Sequence, residues 1–183
     1  TFALTAEQLS PDALVLGEAI GGGLVPLALV LTRKDLRDQA PEPYGTTLTG
    51  LALGCAAALE TLAILRDEKL AENALERGKQ LVEWLKKRLA GHPLVKDVRG
   101  RGLLVGVELG PAGEGWVNRF APFLVELMSE NVFGQWAALR LFERGILCRP
   151  GAHQGSVLLL EPPLTVREPE IDRVVHALAE VLE

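Results

Sequence analysis

Arg99 and Arg101 flank Gly100, a spacing that sets two guanidiniums at one tight turn. Such a pair could bind an anion. The plainer reading is two strand-end charges in water. Glu18 follows the apolar run 13–16 and precedes Gly21-Gly22-Gly23. On its own it reads as an ordinary polar residue at a strand end. Three consecutive glycines let the backbone take positive φ or approach another group closely. They do not make a nucleotide loop, because neither Gly-x-Gly-x-x-Gly nor Gly-Lys-Ser/Thr occurs in the chain. Thr46, Thr47 and Thr49 stand just before an Ala/Leu-rich stretch, where a threonine is a good helix cap. His92, His153 and His176 are isolated from one another and from Cys55 and Cys148, so no metal-ligand spacing is visible.

The elements that would position these residues follow from period and punctuation. Residues 13–16 and 26–31 read as two short strands either side of the glycine turn. Pro41-Glu42-Pro43 marks a loop. Residues 51–66 favour helix by composition. A second helix over residues 69–89 sets Leu70, Ala74, Leu81, Leu85 and Leu89 near the helical period, with Glu76–Lys79 and Glu83 with Lys86 and Lys87 as surface pairs. Gly91-His92-Pro93 ends it. Strands are expected at 95–98, 103–109, 146–149 and 157–160. Phe120, Phe123, Leu124 and Leu127 are spaced for one helix, and a further helix runs from about Phe133 to Arg144, stopped by Gly145. The last helix, 168–182, has Pro169 in its first turn and Ile171, Val174, Val175, Leu178 and Leu182 on one face. Strands alternating with helices argue an α/β or α+β architecture, a small sheet with helices packed on one side.

The 183 residues suffice for one domain or one and a half, and 48% of them are apolar. A net charge of −5 without a basic run speaks against nucleic acid and anionic membrane as partners. No 18-residue apolar run offers a transmembrane helix, and Thr1 to Thr5 do not read as a signal peptide. Two cysteines are too few for a disulfide scaffold, so both are expected to be reduced core thiols of a cytoplasmic protein.

Four segments, in order, resemble the class III (ornithine, acetylornithine and diamine type) pyridoxal-phosphate aminotransferases of fold type I. The first is Pro11-Asp12-Ala13-Leu14-Val15-Leu16-Gly17-Glu18-Ala19-Ile20-Gly21-Gly22-Gly23. The second is Gly45-Thr46-Thr47-Leu48-Thr49-Gly50-Leu51-Ala52-Leu53-Gly54-Cys55-Ala56-Ala57-Ala58-Leu59. The third is Val98-Arg99-Gly100-Arg101-Gly102-Leu103-Leu104-Val105-Gly106-Val107-Glu108-Leu109. The fourth joins Glu143-Arg144-Gly145-Ile146-Leu147 to Leu158-Leu159-Leu160-Glu161-Pro162-Pro163-Leu164. The Leu-Glu-Pro-Pro-Leu ending favours diamine or ornithine-like relatives.

The resemblance implies that the chain is the C-terminal part of such a protein. Residues 1–50 would be the remnant of the cofactor-binding large domain, 51–68 a connecting helix, and 69–183 the small α/β domain. It implies amino-group transfer between an amine or amino acid and a 2-oxo acid through pyridoxal phosphate, in a homodimer with active sites between subunits. That chemistry needs a lysine amine to form a Schiff base with the cofactor aldehyde. The family's lysine position is Glu18 here, and a carboxylate forms no imine. Many members also carry an arginine three residues before the Pro-Pro pair, able to clamp a substrate carboxylate. That position is Leu159, otherwise read as a strand residue in an apolar core. Leu48, Leu51 and Ala52 stand for the family's Phe, Asn and Pro. Thr47 matches a threonine that meets the partner subunit's cofactor phosphate, with Thr46 and Thr49 as helpers. Three expectations result: a pseudoenzyme of the aminotransferase family without covalent cofactor, a non-catalytic structural or interaction module, or a chain completed by a second polypeptide.

Overall fold

A computed structural model describes residues 8–39, 50–110 and 131–183, the first two residues of the last segment as backbone only. The chain divides into two compact units, residues 1–71 and 72–183.

The first unit is built on a two-stranded antiparallel ribbon. β1 (Ala13–Leu16) pairs with β2 (Leu29–Thr32), from Ala13 opposite Thr32 to Leu16 opposite Leu29. A 3-10 turn, Glu18–Gly21, follows β1 and buries Ile20 and Gly21. Gly22 and Gly23 then take φ of +67° and +74°, which L side chains rarely adopt. The second strand starts later than the apolar run suggests. Pro26 has no N–H to give to a ladder, and Val25 and Leu27 instead set their side chains over Gly54. α1 (Lys34–Asp38) and α2 (Ala52–Asp67) complete the unit. The buried residues of α2 are small, Gly54 and Ala58, so the 3-10 turn packs close to it. Asp12 and Asp35 each lie 2.6 Å from the Arg33 guanidinium at the ribbon's open end. All three are exposed, so these pairs contribute little.

The second unit holds a four-stranded antiparallel sheet in the order β3-β4-β6-β5. β3 (Val95–Arg101) and β4 (Leu104–Leu109) form a hairpin whose tight loop, Gly102-Leu103, needs φ of +53° at Gly102. Alternation along β4 buries Val105, Val107 and Leu109 completely. Val98 of β3 and Leu158 and Leu160 of β6 (Val157–Leu160) join them on that face. The opposing wall comes from three helices. α3 (Leu70–Arg88) gives Leu81 and Leu85, α4 (Asn131–Glu143) gives Ala137 and Leu141, and α5 (Glu168–Leu182) gives Ile171, Val175 and Leu178. Each fully buried leucine is worth roughly 1.5–3 kcal/mol of transfer free energy. Helices therefore cover one face of the sheet, as the alternation of elements implied.

Glycine sets two of these helix contacts. A Cβ on Gly78 of α3 would collide with the Gly102 carbonyl, and one on Gly134 of α4 with the Gly155 carbonyl. α4 ends as Gly145 announced. Gly145 (φ +74°) donates its N–H to Phe142 O at 2.9 Å, and Ile146 donates to Leu141 O at 2.9 Å, the two bonds of a Schellman motif. The strand expected over 146–149 shrinks to β5, Arg149–Pro150. Ile146 belongs to the helix stop, Leu147 is 86% exposed, and proline ends the pairing. Among the described residues the ion pairs within α3 are Glu76–Arg77 at 2.8 Å and Lys79–Glu83 at 3.8 Å, in place of the expected Glu76–Lys79 and Glu83 with Lys86 and Lys87. The helix expected around Phe120 to Leu127 lies outside the described residues.

Candidate functional site

Two places gather the residues that the sequence singled out, one in each unit. The first is the turn after β1. Glu18 opens the 3-10 turn and is exposed. The turn is held against α2, where a Cβ on Gly22 would come within 2.8 Å of the Thr61 hydroxyl. Thr61 itself donates to the Ala57 carbonyl at 2.8 Å. The ribbon register places Lys34 at the opposite end from Glu18. Lys34 follows Thr32, the partner of Ala13, whereas Glu18 follows Leu16. The three steps from Ala13 to Leu16 span about 10 Å at ~3.4 Å per residue. The chain contains six lysines, Lys34 being the first, and all six are exposed. Lys34 is thus remote from the glycine turn along the ribbon, and no lysine side chain is buried.

The second place is the open face of the four-stranded sheet. Register alone builds one row across it: Arg99 opposite Gly106, Gly106 opposite Leu159, Leu159 opposite Arg149. The adjacent row sets Asp97 opposite Glu108 and Glu108 opposite Val157. Leu159 is therefore not a core residue, contrary to its plain reading. The core side chains of β6 are Leu158 and Leu160, and Leu159, half-buried, points to the other face. It presents no donor there. The nearest guanidinium by register is Arg149, which meets Glu161 at 3.0 Å.

Arg99 lies 2.9 Å from Asp97 and 2.6 Å from Glu108, in both cases through Nη1. Asp97 first and Glu108 second push its already high pKa further up. In return Arg99 holds the Asp97 carboxyl below the usual carboxylate range. Arg99 and Arg101 are both charges near the end of β3, and both line a depression on the open face with His153 and Gln154.

Thr46, Thr47 and Thr49 lie outside the described residues. The thiols are free, but they are not both in a core. Cys55 is exposed on α2, and Cys148 is half-buried, with burial pushing its pKa up to about 11. Among the described residues no group of three or more His, Cys, Asp or Glu could hold a metal, and no helix is long and apolar enough to cross a membrane. Sequence reasoning missed Arg149, Gly106 and Glu108 as residues of the open face. Alternation counted from Val105 was the available signal for Gly106 and Glu108; Arg149 needed the β5–β6 register.

The family model for aminotransferase class-III matches residues 1–182. The ornithine aminotransferase 1 of Staphylococcus saprophyticus is 32% identical over 183 residues, which cover all of this chain and 40% of the relative. The diaminobutyrate–2-oxoglutarate aminotransferase of Rhizobium meliloti is 37% identical over 187 aligned residues, again the whole of this chain and 37% of the relative. Among solved structures, an ornithine aminotransferase of Toxoplasma gondii, crystallized with oxidized glutathione and with partial occupancy of PLP at its active site, superposes with a TM-score of 0.80. It is 32% identical, and the match covers 98% of this chain and 38% of that one. A transaminase of the marine bacterium Virgibacillus gives a TM-score of 0.83 at 26% identity, covering 99% and 41%. The chain thus spans about two fifths of the length of the relatives it matches.

Proposed function

Since the chain belongs to the class III aminotransferases, we propose that it is a member whose own residues no longer carry the transamination step. The family reaction moves an amino group between an amine or amino acid and a 2-oxo acid by way of pyridoxal phosphate. One observation carries the reading. The turn after β1, where the family resemblance puts the imine-forming lysine, bears the exposed carboxylate of Glu18. The first lysine of the chain, Lys34, sits at the far end of the ribbon. All six lysines here are exposed. The residues present therefore do not fit covalently held pyridoxal phosphate. Leu159 supports the same reading, because it offers nothing to a substrate carboxylate.

The test is a visible absorbance titration with pyridoxal phosphate, run beside Glu18→Lys. The unmodified chain is expected to develop no saturable visible band, and Glu18→Lys to show no turnover with ornithine or alanine. Turnover by Glu18→Lys would mean that the rest of the machinery is intact.

A second reading, a structural or interaction module that self-associates, rests on the first unit. Val15 and Val30, register partners on one ribbon face, are 70% and 65% exposed, and Leu53 and Leu59 of α2 are 65% and 70% exposed. Apolar surface on a ribbon with two strands among the described residues, and on its helix, favours association. The reading assigns a homo-oligomer held through residues 13–59, and light scattering tests it: a monomer at all concentrations would exclude it.

A further inference from the structure

We propose that the pocket between the stop of α4, the end of β6 and the first turns of α5 binds a small carboxylate with a hydrocarbon body. The head lies on Arg173, and the body on a floor of Leu81, Leu160 and Ile171. The inference rests neither on Glu18 nor on pyridoxal phosphate.

Two early stops open the pocket. The helix-stop bonds of Gly145 and Ile146 keep residues 146 and 147 out of the ladder, and Pro162-Pro163 follows β6, which ends at Leu160. The volume left is about 270 Å³, just under the ~300 Å³ at which drug-sized sites begin, so the ligand is small. Leu81 and Ile171 are fully buried and Leu160 nearly so, which makes the floor part of the core itself. Leu147 on the rim is strongly exposed, apolar surface that a hydrocarbon body would cover. The prolines carry no N–H, so their wall offers no backbone donor, and their fixed φ holds it in place. Three charged side chains line the pocket: Glu161, Glu170 and Arg173. Each carboxylate already has its cation. Glu161 meets Arg149 at 3.0 Å; Glu170 lies 3.6 Å from the Arg167 guanidinium and accepts the Arg167 backbone N–H at 2.8 Å. Arg173 has no carboxylate in ion-pair range among the described residues. Its Nη2 donates to the Arg144 carbonyl at 3.0 Å, beside Gly145, where a Cβ would come within 3.0 Å of that nitrogen. Capping of the last carbonyls of α4 accounts for this bond, but a carbonyl does not neutralise a guanidinium, and its other donors remain. With Glu161–Arg149 and Glu170–Arg167 counted as neutral pairs, the charge left at the pocket is that of Arg173, which a carboxylate complements. Inorganic anions gain nothing from the floor, so the hydrocarbon body sets the ligand class.

The full chain should be titrated with hexanoate by heteronuclear NMR, with hexanol, hexylamine and acetate as comparison probes. Saturable shifts at the backbone amides of Ile146, Leu147 and Ile171 are expected with hexanoate. Hexanol should bind about tenfold more weakly for lack of a charge-assisted bond, acetate at least about tenfold more weakly for lack of a body, and hexylamine no better than hexanol. The Arg173 Nε–H resonance should move with hexanoate and stay in place with hexanol. Arg173→Gln is expected to bring hexanoate down to the affinity of hexanol and to leave hexanol unchanged. Leu147→Glu keeps Arg173, alters an exposed position, and sets a competing carboxylate on the rim; it is expected to weaken hexanoate at least about tenfold at an unchanged thermal midpoint. Hexanoate binding no tighter than hexanol or acetate, or retained in full by either folded variant, would overturn the proposal.

Discussion

Gly78→Ala tests the packing of the second unit by the sign of its effect. In an unobstructed helix interior, alanine is favoured over glycine by about 1 kcal/mol, so propensity alone predicts a stabilised protein. Here the new methyl would collide with the Gly102 carbonyl oxygen, carbonyl carbon and Cα. All three are backbone atoms, in a loop whose φ of +53° leaves no simple rotation away. Relief requires α3 to move off the β3–β4 hairpin, loosening the core in which Leu81 and Leu85 are fully buried. Overpacking costs typically ~1–3 kcal/mol. With rigid backbone on both sides the upper end applies, leaving a net loss of about 2 kcal/mol after the propensity gain. For a chain of this size that lowers the thermal midpoint by about 4–8 °C. Urea unfolding followed by far-UV circular dichroism measures it, with an unchanged slope showing that stability alone has moved. Gly17→Ala is the control. It has nothing within 4 Å and an ordinary φ of −77°, so it should be neutral or stabilising by up to ~1 kcal/mol. A Gly78→Ala midpoint equal to or above that of the unmodified protein would refute the close approach of helix and hairpin.

Three further outcomes follow from named contacts. Gly22→Ala, at φ +67° and with its methyl 2.8 Å from the Thr61 hydroxyl, should cost about 1–2 kcal/mol; adding Thr61→Ala should recover part of the loss, and a purely additive double variant would exclude the contact. Iodoacetamide at neutral pH should label the exposed Cys55 well before Cys148, whose thiol pKa burial pushes up to about 11; peptide mass spectrometry showing equal rates would contradict that burial. The Glu170 carboxyl is held below its ordinary range, first by the Arg167 backbone N–H at 2.8 Å. A depressed carboxyl stabilises the fold above its unfolded pKa and loses that contribution as pH falls through the folded value. Thermal midpoints measured from neutrality down to about pH 3 should therefore decline less steeply in Glu170→Gln than in the unmodified chain, and parallel curves would dismiss the capping bond.

Several elements were legible because one physical signal dominated each. α5 reads directly from Ile171, Val175, Leu178 and Leu182 at helical spacing, with Pro169 where a missing N–H costs nothing. The β3–β4 hairpin reads from its alternation and from Gly102. Other features lacked such a signal. Residues 157–160 are all apolar, so no alternation in the sequence separates the core pair Leu158 and Leu160 from Leu159 on the open face; only the pairing with Gly106 does. The apolar run 146–148 resembles a strand, but the Schellman bonds of Gly145 and Ile146 claim it for the helix stop. Cys55 resembles a core thiol because the first two turns of α2 are wholly apolar, and such a stretch does not reveal which side it buries. In the candidate site, the identity of Glu18 was readable at once. Its separation from Lys34 by the length of the ribbon required the β1–β2 register.

The central claim, that this chain's residues hold no covalent cofactor, is tested most directly by reductive trapping. The protein is mixed with equimolar pyridoxal phosphate, reduced with borohydride, and weighed intact, with peptide mapping of any adduct. With Glu18 at the turn and all six lysines exposed, we expect only sparse adducts scattered over several lysines. Near-complete addition of one reduced cofactor to a single lysine would contradict the account.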